Sequence, residues 1–188
     1  MTAGAILPRS FYARDTTVVA RDLLGKILSK GDTSGVIVET EAYPGGDDLA
    51  SHSAAGVTKR TKVIFGPPGH AYVYFIYGMH TCMNIVVGPE GTPGCVLIRA
   101  LEPLAGLPLM RQRRSAAQRD RDLASGPGKL TQALAITLDD YGADLTRGEF
   151  VVRQPKRSRP IQIDVTPRIG LTKCSDSLLR FVVQPERT

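Results

Sequence analysis

Two charged residues, Glu41 and Arg99, occur within stretches of the sequence that are mostly apolar. Glu41 lies in VIVETEAY, and a carboxylate on a strand is most often a polar group that faces solvent. Its apolar neighbours favour a different interpretation, as does Tyr43, which the period-two alternation of a strand places on the same face. A carboxylate that is partly desolvated takes up a proton more readily, so it can act as a general base near neutral pH.

Arg99 lies in VLIRALE, where an unpaired charge would be costly to bury. One interpretation is a structural ion pair with Glu102 or Glu39. The other is that its guanidinium group holds the Glu41 carboxylate, or an attacking water molecule, in place. The two interpretations overlap, because an arginine that pairs with a base also positions it.

Three tyrosines, Tyr72, Tyr74 and Tyr77, are clustered in a sequence of 188 residues that has 6% aromatic residues and no tryptophan. Tyr72 fits ordinary packing within a sheet. Tyr77 stands beside a predicted hairpin turn, where a ring has little core to join and could act as a wedge pushed into a base stack. Asn84, on the returning strand, either satisfies the sheet or binds the edge of a base.

His52 by itself would be an ordinary loop histidine. Beside a carboxylate and two aromatic rings, it could instead cover a planar ligand and form a hydrogen bond with it. A zinc deaminase site is excluded, because that site needs His-x-Glu followed by Cys-x-x-Cys, and here Ser53 and Ala54 follow His52.

The segment Gly126-Pro127-Gly128-Lys129 comes before a predicted helix, and its free backbone amides and ammonium group suit a phosphate. It is not a nucleotide-binding P-loop, because Leu123 and Leu130 replace the glycine and the hydroxyl residue that such a loop requires. We therefore predict that Lys129 contacts a nucleic-acid backbone.

These residues need elements to position them. The sequence predicts strands over residues 36–43 and 94–101, with more strand within 149–183. A hairpin is predicted from runs 71–77 and 81–87 around Gly78-Met79. Helices are predicted near residues 17–24, 107–115 and 130–136, and a helical turn at 47–50. We expect an α+β fold: a single mixed domain over residues 1–188, with a curved, largely antiparallel sheet and surrounding helices.

Composition narrows the class of protein. The formal net charge of +6 favours a polyanionic partner without identifying it. No signal-peptide pattern or membrane-length apolar run is present, so we expect a cytoplasmic protein. Three cysteines are an odd number without metal-ligand spacing, which indicates reduced thiols and no metal site.

Several blocks of the sequence resemble the alkyladenine (3-methyladenine) DNA glycosylase family, bacterial type. They follow the family's order over about residues 7–183, and they are ETEAY (39–43), SH (51–52), FGPPGHAYVYFIYGMH (65–80), CMN (82–84), VLIRALEPL (96–104) and SGPGKLTQALAI (125–136). The resemblance implies that the protein flips alkylated or deaminated purines out of duplex DNA. It would then hydrolyse the N-glycosidic bond and leave an abasic site, without a metal or organic cofactor.

The resemblance also implies roles for single residues. Glu41 would activate the water molecule and Arg99 would help to place it. The extruded base would lie in a pocket lined by Tyr43, His52 and Tyr74.

Further roles that the resemblance implies concern selectivity and DNA binding. Tyr77 would fill the gap left in the duplex, Asn84 would exclude bases with a guanine-type exocyclic amine, and Lys129 would contact backbone phosphate. One departure is Ile64, which stands where many family members have methionine, and it puts one contact with the DNA strand in doubt.

The expected partner is therefore duplex DNA that contains a damaged purine, bound by a monomer away from any membrane. A binding module for distorted DNA that does no chemistry is an alternative, but it gives no reason for Glu41 and Arg99 within one apolar sheet. An RNA-binding domain that uses the tyrosines as stacking platforms is another. Which lesion is preferred stays open among 3-methyladenine, 7-methylguanine, hypoxanthine and ethenoadenine.

Overall fold

Two strands of 11 residues each, β3 (Thr33–Tyr43) and β6 (Cys95–Ala105), pair along most of their length and carry the residues singled out above. The computed structural model describes residues 2–76, 78–157 and 160–184. Seven shorter strands complete the described sheet: β1 (Ala3–Ile6), β2 (Ile27–Lys30), β4 (Ala71–Ile76), β5 (His80–Val86), β7 (Phe150–Pro155), β8 (Ile163–Thr166) and β9 (Arg180–Val183).

The strand order is β1-β7-β2-β3-β6-β5-β4, and β9 pairs with the end of β3 beyond β2 and with β8. Each of the strand pairs found within the described residues is antiparallel. The predicted antiparallel α+β fold is confirmed, including the hairpin, whose turn contains Gly78 at a positive φ of 67°.

Three helices, α2 (Thr16–Asp22), α3 (Leu107–Arg113) and α4 (Pro127–Ala133), lie close to the central strands, and a single turn, α1 (Arg9–Tyr12), precedes them. The Asp15 side chain caps α2 by accepting from the amides of Thr17 and Val18. Helix α4 begins three residues before its predicted start, because the fixed φ of Pro127 suits the first helical position.

Two further predictions were wrong in detail. Residues 47–50 form a hydrogen-bonded turn and not a helical one, and the loop that follows contains two short 3₁₀ helices, His52–Ala55 and Lys62–Phe65. Strand β6 also continues beyond Pro103, where it was expected to end. A proline is tolerated there because the pairing of β6 with β5 stops at Leu97, so its missing N–H faces an edge without a strand partner.

The two faces of the central sheet differ. The main core packs the helices against side chains such as Thr40, Ala42 and Ile98 on one face. On the other face a smaller cluster of Ile64, Tyr72, Val86 and Cys95 forms the base of a cleft. Period-two alternation explains the division, since Glu41, Tyr43, Leu97 and Arg99 alternate with core residues and point the other way.

Two irregularities in the β3–β6 pairing adjust this alternation. The first lies in β3, where Ile37 pairs with Leu101 and Glu39 pairs with Ala100, so Val38 is an extra residue without a partner in the register. The second lies in β6, where Thr40 pairs with Ile98, so Arg99 is the extra residue. Bulges of this kind bend a strand and redirect side chains, often beside functional sites. As a result Ile37 packs in the core, whereas Glu39 shares the opposite face with Glu41.

No helix in the part of the chain that the structure describes is both long and apolar enough to cross a membrane. Cys82, Cys95 and Cys174 are free thiols, as the odd cysteine count predicted.

Candidate functional site

A cleft of about 270 Å³ opens on the face of the sheet opposite the main core. Its walls come from four regions: the sheet, the loop around His52, the first turn of α4, and a segment that we call the strap (residues 167–171). The residues that line it include Tyr43, His52, Tyr72, Tyr74, Asn84, Arg99, Gly128 and Ile169. Five of the residues predicted from sequence are therefore brought together in one cavity: Tyr43, His52, Tyr74, Asn84 and Arg99.

Glu41 lies directly behind this wall and is 0% exposed. Its Oε2 accepts a hydrogen bond of 2.9 Å from the Tyr43 hydroxyl group. Its Oε1 accepts from the backbone N–H of Ile169 at 2.8 Å, and the Arg99 guanidinium lies 3.1 Å from the same oxygen. The carboxylate is thus more deeply buried than the sequence indicated, and residues that do line the cleft hold it.

Arg99 connects two carboxylates. Its Nε donates to Glu39 Oε1 at 2.8 Å, and Arg180 donates to the same oxygen at 2.7 Å. We call Glu39, Glu41, Arg99 and Arg180 the carboxylate network. Burial alone would lower the pKa of Arg99, but Glu41 and Glu39 raise it above its ordinary value. Both sequence interpretations of Arg99 therefore hold, with Glu39 and not Glu102 as the structural partner.

Tyr43 forms one wall of the cleft, and a guanidinium group lies behind its ring. The Arg168 Cζ atom is 4.6 Å from the ring centroid. Burial, followed by the charge of Glu41 and the hydrogen bond to it, raises the pKa of Tyr43 well above its ordinary value. The phenol therefore stays protonated throughout the neutral range and keeps donating to the carboxylate.

His52 and two tyrosines form an aromatic wall of the cleft. His52 Nδ1 lies 2.8 Å from the Tyr72 hydroxyl oxygen, and the His52 ring meets the Tyr74 ring edge-on at 4.7 Å between centroids. Burial, followed by the charge of Arg60, lowers the pKa of His52 below its ordinary value. The imidazole is therefore neutral at physiological pH, and burial also raises the pKa of Tyr72 to about 12.

Asn84 is buried on β5, and among the described residues its Nδ2 completes no hydrogen bond of good geometry. Burial raises the pKa of the Tyr74 phenol, and Asn84 lies close enough to its hydroxyl group to lower that pKa slightly, against the larger effect of burial. A buried donor without a partner is costly, and such groups are frequent where a ligand binds. The alternative that Asn84 only satisfies the sheet is therefore not favoured by this geometry.

The rim of the cleft carries exposed positive charge, as the net charge suggested. Lys59, Arg60 and Lys62 are exposed in the loop after His52, and Lys129 is exposed beside the lining residue Gly128. We call these four residues the basic rim. Arg60 lies 5.0 Å from the Tyr74 ring centroid, and Lys129 donates only to Ser125 Oγ, at 3.2 Å.

Tyr77 lies outside the described residues, so its predicted wedge role stays a prediction. The residues around it are described, and Phe75 and Met79 of the same hairpin are exposed, Met79 to 71%. The described part of the hairpin therefore presents apolar surface beside the cleft.

Sequence reasoning missed three functional candidates. They are the backbone amide of Ile169 on Glu41, the Arg168 guanidinium behind Tyr43, and Asp48, which accepts two hydrogen bonds from Arg168 at 2.6 and 2.8 Å. Burial alone would raise the pKa of Asp48, but the Arg168 guanidinium holds it below its ordinary value. The segment around Arg168 has no hydrophobic periodicity that would have revealed a buried charge.

Comparison with known proteins supplies the chemical context. The sequence model of the family described as methylpurine-DNA glycosylase (MPG) matches residues 10–187. A protein of Methanoculleus marisnigri is 52% identical over 187 residues, which cover 96% of each chain. A protein of Koribacter versatilis is 48% identical over 95% of this chain and 90% of its own. A protein of Rhodopseudomonas palustris is 48% identical over 98% and 87% respectively. All three are named "Putative 3-methyladenine DNA glycosylase".

Proposed function

This chain belongs to the methylpurine-DNA glycosylase family, and on that premise we propose that it is a DNA-repair enzyme that releases alkylated purines from duplex DNA by hydrolysis. The observation that carries the proposal is the position of Glu41. A buried carboxylate is held by Tyr43, Arg99 and a strap amide, immediately behind a cleft with aromatic walls.

The carboxylate can accept a proton from water. Each carboxylate oxygen has two acceptor sites, and Tyr43 occupies one of those on Oε2, which leaves the other to accept from a water molecule. As the bond between C1′ and the base nitrogen breaks, its electron pair leaves with the base and the sugar becomes oxocarbenium-like. Glu41 then stabilises that positive charge and takes the proton of the water that adds to C1′.

The cleft suits a purine that has been rotated out of the helix. A stacked base cannot be attacked at its glycosidic carbon, so extrusion must come first, at a cost of a few kcal/mol. Tyr43 and the His52–Tyr74 pair, which all line the cleft, provide aromatic surface for the extruded ring. A cationic alkylated base over a tyrosine face gains about 2 kcal/mol when desolvated, which favours damaged over normal purines.

The charge of the damaged base determines whether a proton must be supplied to it as it leaves. An alkylated cationic base leaves as a neutral molecule, whereas a neutral base such as hypoxanthine needs a proton as it leaves. We therefore expect excision of neutral lesions to depend more on pH than excision of cationic ones, with the rate falling as pH rises.

A binding module without catalysis is less well supported, because binding alone gives no reason to bury Glu41 between Arg99, Tyr43 and the Ile169 amide. The partner in this proposal is duplex DNA with a damaged purine. Action as a monomer in the cytoplasm, the wedge role of Tyr77, the exclusion role of Asn84 and the phosphate contact of Lys129 belong to the same proposal.

The deciding experiment incubates the protein with methylated duplex DNA and separates released bases by chromatography, with unmethylated duplex as the control. We expect free methylated purine and intact strands that carry abasic sites. Bound DNA without release of base would leave only the binding-module alternative. A protein–DNA adduct trapped by borohydride would point to an amine nucleophile, whereas the described residues that line the cleft include no lysine.

A further inference from the structure

Arg168 is a buried charge within an exposed segment. Across residues 160–180, all of which the structure describes, it is the one residue that is classed as buried. Its side chain is 0% exposed. The next residue, Ile169, is 51% exposed, so its side chain does little to anchor the strap. Arg168 is therefore the anchor of this segment.

The contacts of Arg168 reach two separate parts of the structure around the cleft: the loop that precedes His52 and strand β3. Its guanidinium group donates twice to Asp48, at 2.6 and 2.8 Å, and thereby ties down the loop that leads to His52. It donates to the backbone oxygen of Ala42 at 3.0 Å, between Glu41 and Tyr43 on β3. Its Cζ atom also lies 4.6 Å from the Tyr43 ring centroid. A planar guanidinium group has the donors and the flat face that such a combination requires.

The strap amide that contacts Glu41 comes directly after this anchor. The N–H of Ile169 reaches Glu41 Oε1 at 2.8 Å. The planar peptide unit that carries this N–H begins at the Cα atom of Arg168, so anchoring Arg168 restricts where the N–H can lie. Arg168 therefore restrains two groups that contact Glu41: the Ile169 amide and the Tyr43 side chain.

We propose that Arg168, through its paired hydrogen bonds with Asp48, is a positioning residue that holds the strap amide against Glu41 and the Tyr43 ring against the extruded base. This inference rests on the proposed glycosylase function. It differs from a purely structural ion pair in one respect, because loss of Arg168 should misplace reacting groups even in protein that remains folded.

The first test compares Arg168→Ala and Arg168→Lys with the wild type in single-turnover excision from methylated duplex DNA. We expect the rate to fall about 100-fold for either variant, since misplacement of reacting groups by 1 Å can cost that much. Lysine keeps the charge but cannot donate in parallel to both oxygens of Asp48. Affinity for undamaged duplex should change by less than about twofold, because Arg168 is buried and does not reach DNA.

The matched control is Arg9→Ala. Arg9 also forms an ion pair with a carboxylate, that of Asp144 at 2.8 Å, and donates to a backbone oxygen, that of Pro68 at 2.5 Å. Unlike Arg168, it has no contact, within the described part of the chain, with the residues that line the cleft or hold Glu41. We expect it to lower the thermal midpoint while leaving the excision rate unchanged. Assays are run below the midpoints of all variants. Guanidinium chloride, added far below denaturing concentrations, should restore part of the activity of Arg168→Ala because it can occupy the space that the side chain leaves. It should not restore activity to Arg168→Lys, in which the lysine fills that space.

A second readout does not depend on activity. Hydrogen exchange of the Ile169 amide, resolved by NMR, should be slow in the wild type and at least tenfold faster in Arg168→Lys, with Arg9→Ala unchanged. Wild-type excision in the same series tests the proposed function separately. Unchanged exchange at Ile169, or an excision rate in the lysine variant equal to that of the wild type, would overturn the positioning role even if the enzyme is active.

Discussion

The carboxylate network behind the cleft and the basic rim around it arrange charge in opposite ways. In the network, two carboxylates and two guanidinium groups lie 2.7 to 3.1 Å from one another, with side chains between 0% and 21% exposed. At the rim, Lys59, Arg60, Lys62 and Lys129 are exposed, and no described carboxylate is paired with any of them in an ion pair.

This difference in burial and pairing indicates that the carboxylate network and the basic rim have different roles. The network is formally neutral, so it contributes nothing to the net charge of +6 and little to the attraction of a phosphate backbone. Its charges are also shielded from salt by burial, whereas rim charges are screened over about 8 Å at physiological ionic strength. Changes in the network should therefore alter the rate of chemistry, and changes at the rim should alter affinity and its dependence on salt.

The largest expected effect is that of Glu41→Gln. Removal of the proposed general base should slow base release by about 10²- to 10⁴-fold, because glutamine cannot take the proton of water. DNA affinity should be retained, since the residue is buried behind the cleft. Single-turnover release of methylated purine measures the first effect, and gel-shift titration measures the second.

Glu102→Gln serves as the matched control, because Glu102 is also a glutamate on the central strand pair but is exposed. Its substitution should leave the rate of release unchanged. Full activity of Glu41→Gln would show that Glu41 is not the general base. It would also show that changes in the carboxylate network do not control the rate of chemistry.

A smaller effect is expected from Lys129→Ala. Loss of one phosphate contact should weaken binding to duplex DNA of any sequence by a few-fold and reduce the slope of log K against log salt by about 0.9. The rate at saturating enzyme should be unaffected. Binding isotherms at several salt concentrations provide the measurement.

Lys156→Ala is the comparison variant for this prediction. Lys156 is equally exposed, but it follows β7, which lies with β1 at the edge of the sheet remote from β4 and β5. Its removal should lower the salt slope less than removal of Lys129. Equal slopes for the two variants would mean that the rim has no special role in binding.

The smallest expected effect concerns the contact between the basic rim and His52 in the wall of the cleft. Arg60 of the rim lowers the pKa of His52, after burial as the first cause, so Arg60→Ala should move the His52 titration midpoint up towards its ordinary value. NMR titration of the imidazole C–H signal measures the shift. Lys62→Ala, two residues further along, should leave the midpoint unchanged.

The sign of the matching stability effect follows from linkage. The folded protein binds a proton at His52 less readily than the unfolded chain does, so this contribution to stability is present above about pH 6.5 and is lost as pH falls. In Arg60→Ala the loss on acidification should be smaller. A midpoint at or above the ordinary value in the wild type would show that His52 is not held neutral by its surroundings.

Sequence patterns predicted the parts of the site that regular structure positions. Alternation placed Glu41 and Tyr43 on one face, and the hairpin signal around Gly78-Met79 predicted the two strands that carry Tyr74 and Asn84, as found. Arg99 was recognised because a charge in an apolar run needs a partner, and its partners are Glu39 and Glu41.

The strap could not be predicted in the same way. Arg168 stands between Pro167 and Ile169 in a segment with neither helical nor strand periodicity, and its partner Asp48 is 120 residues away in sequence. Burial of that pair results from tertiary packing, which local patterns do not encode. The extra residues at Val38 and Arg99 were missed for a related reason, since a bulge is set by the neighbouring strand as much as by its own sequence.

The extra residue at Val38 has a consequence for how the site can vary among related chains. Because it reverses which alternate positions face the helices, the placement of Glu41 depends on how many residues precede it in β3 and not only on its identity. A chain that kept the residues of the cleft but lost this extra residue would turn its glutamate towards the hydrophobic core. When distant members of the family are sorted into active and inactive enzymes, the number of residues before the glutamate is therefore as informative as the presence of the glutamate itself.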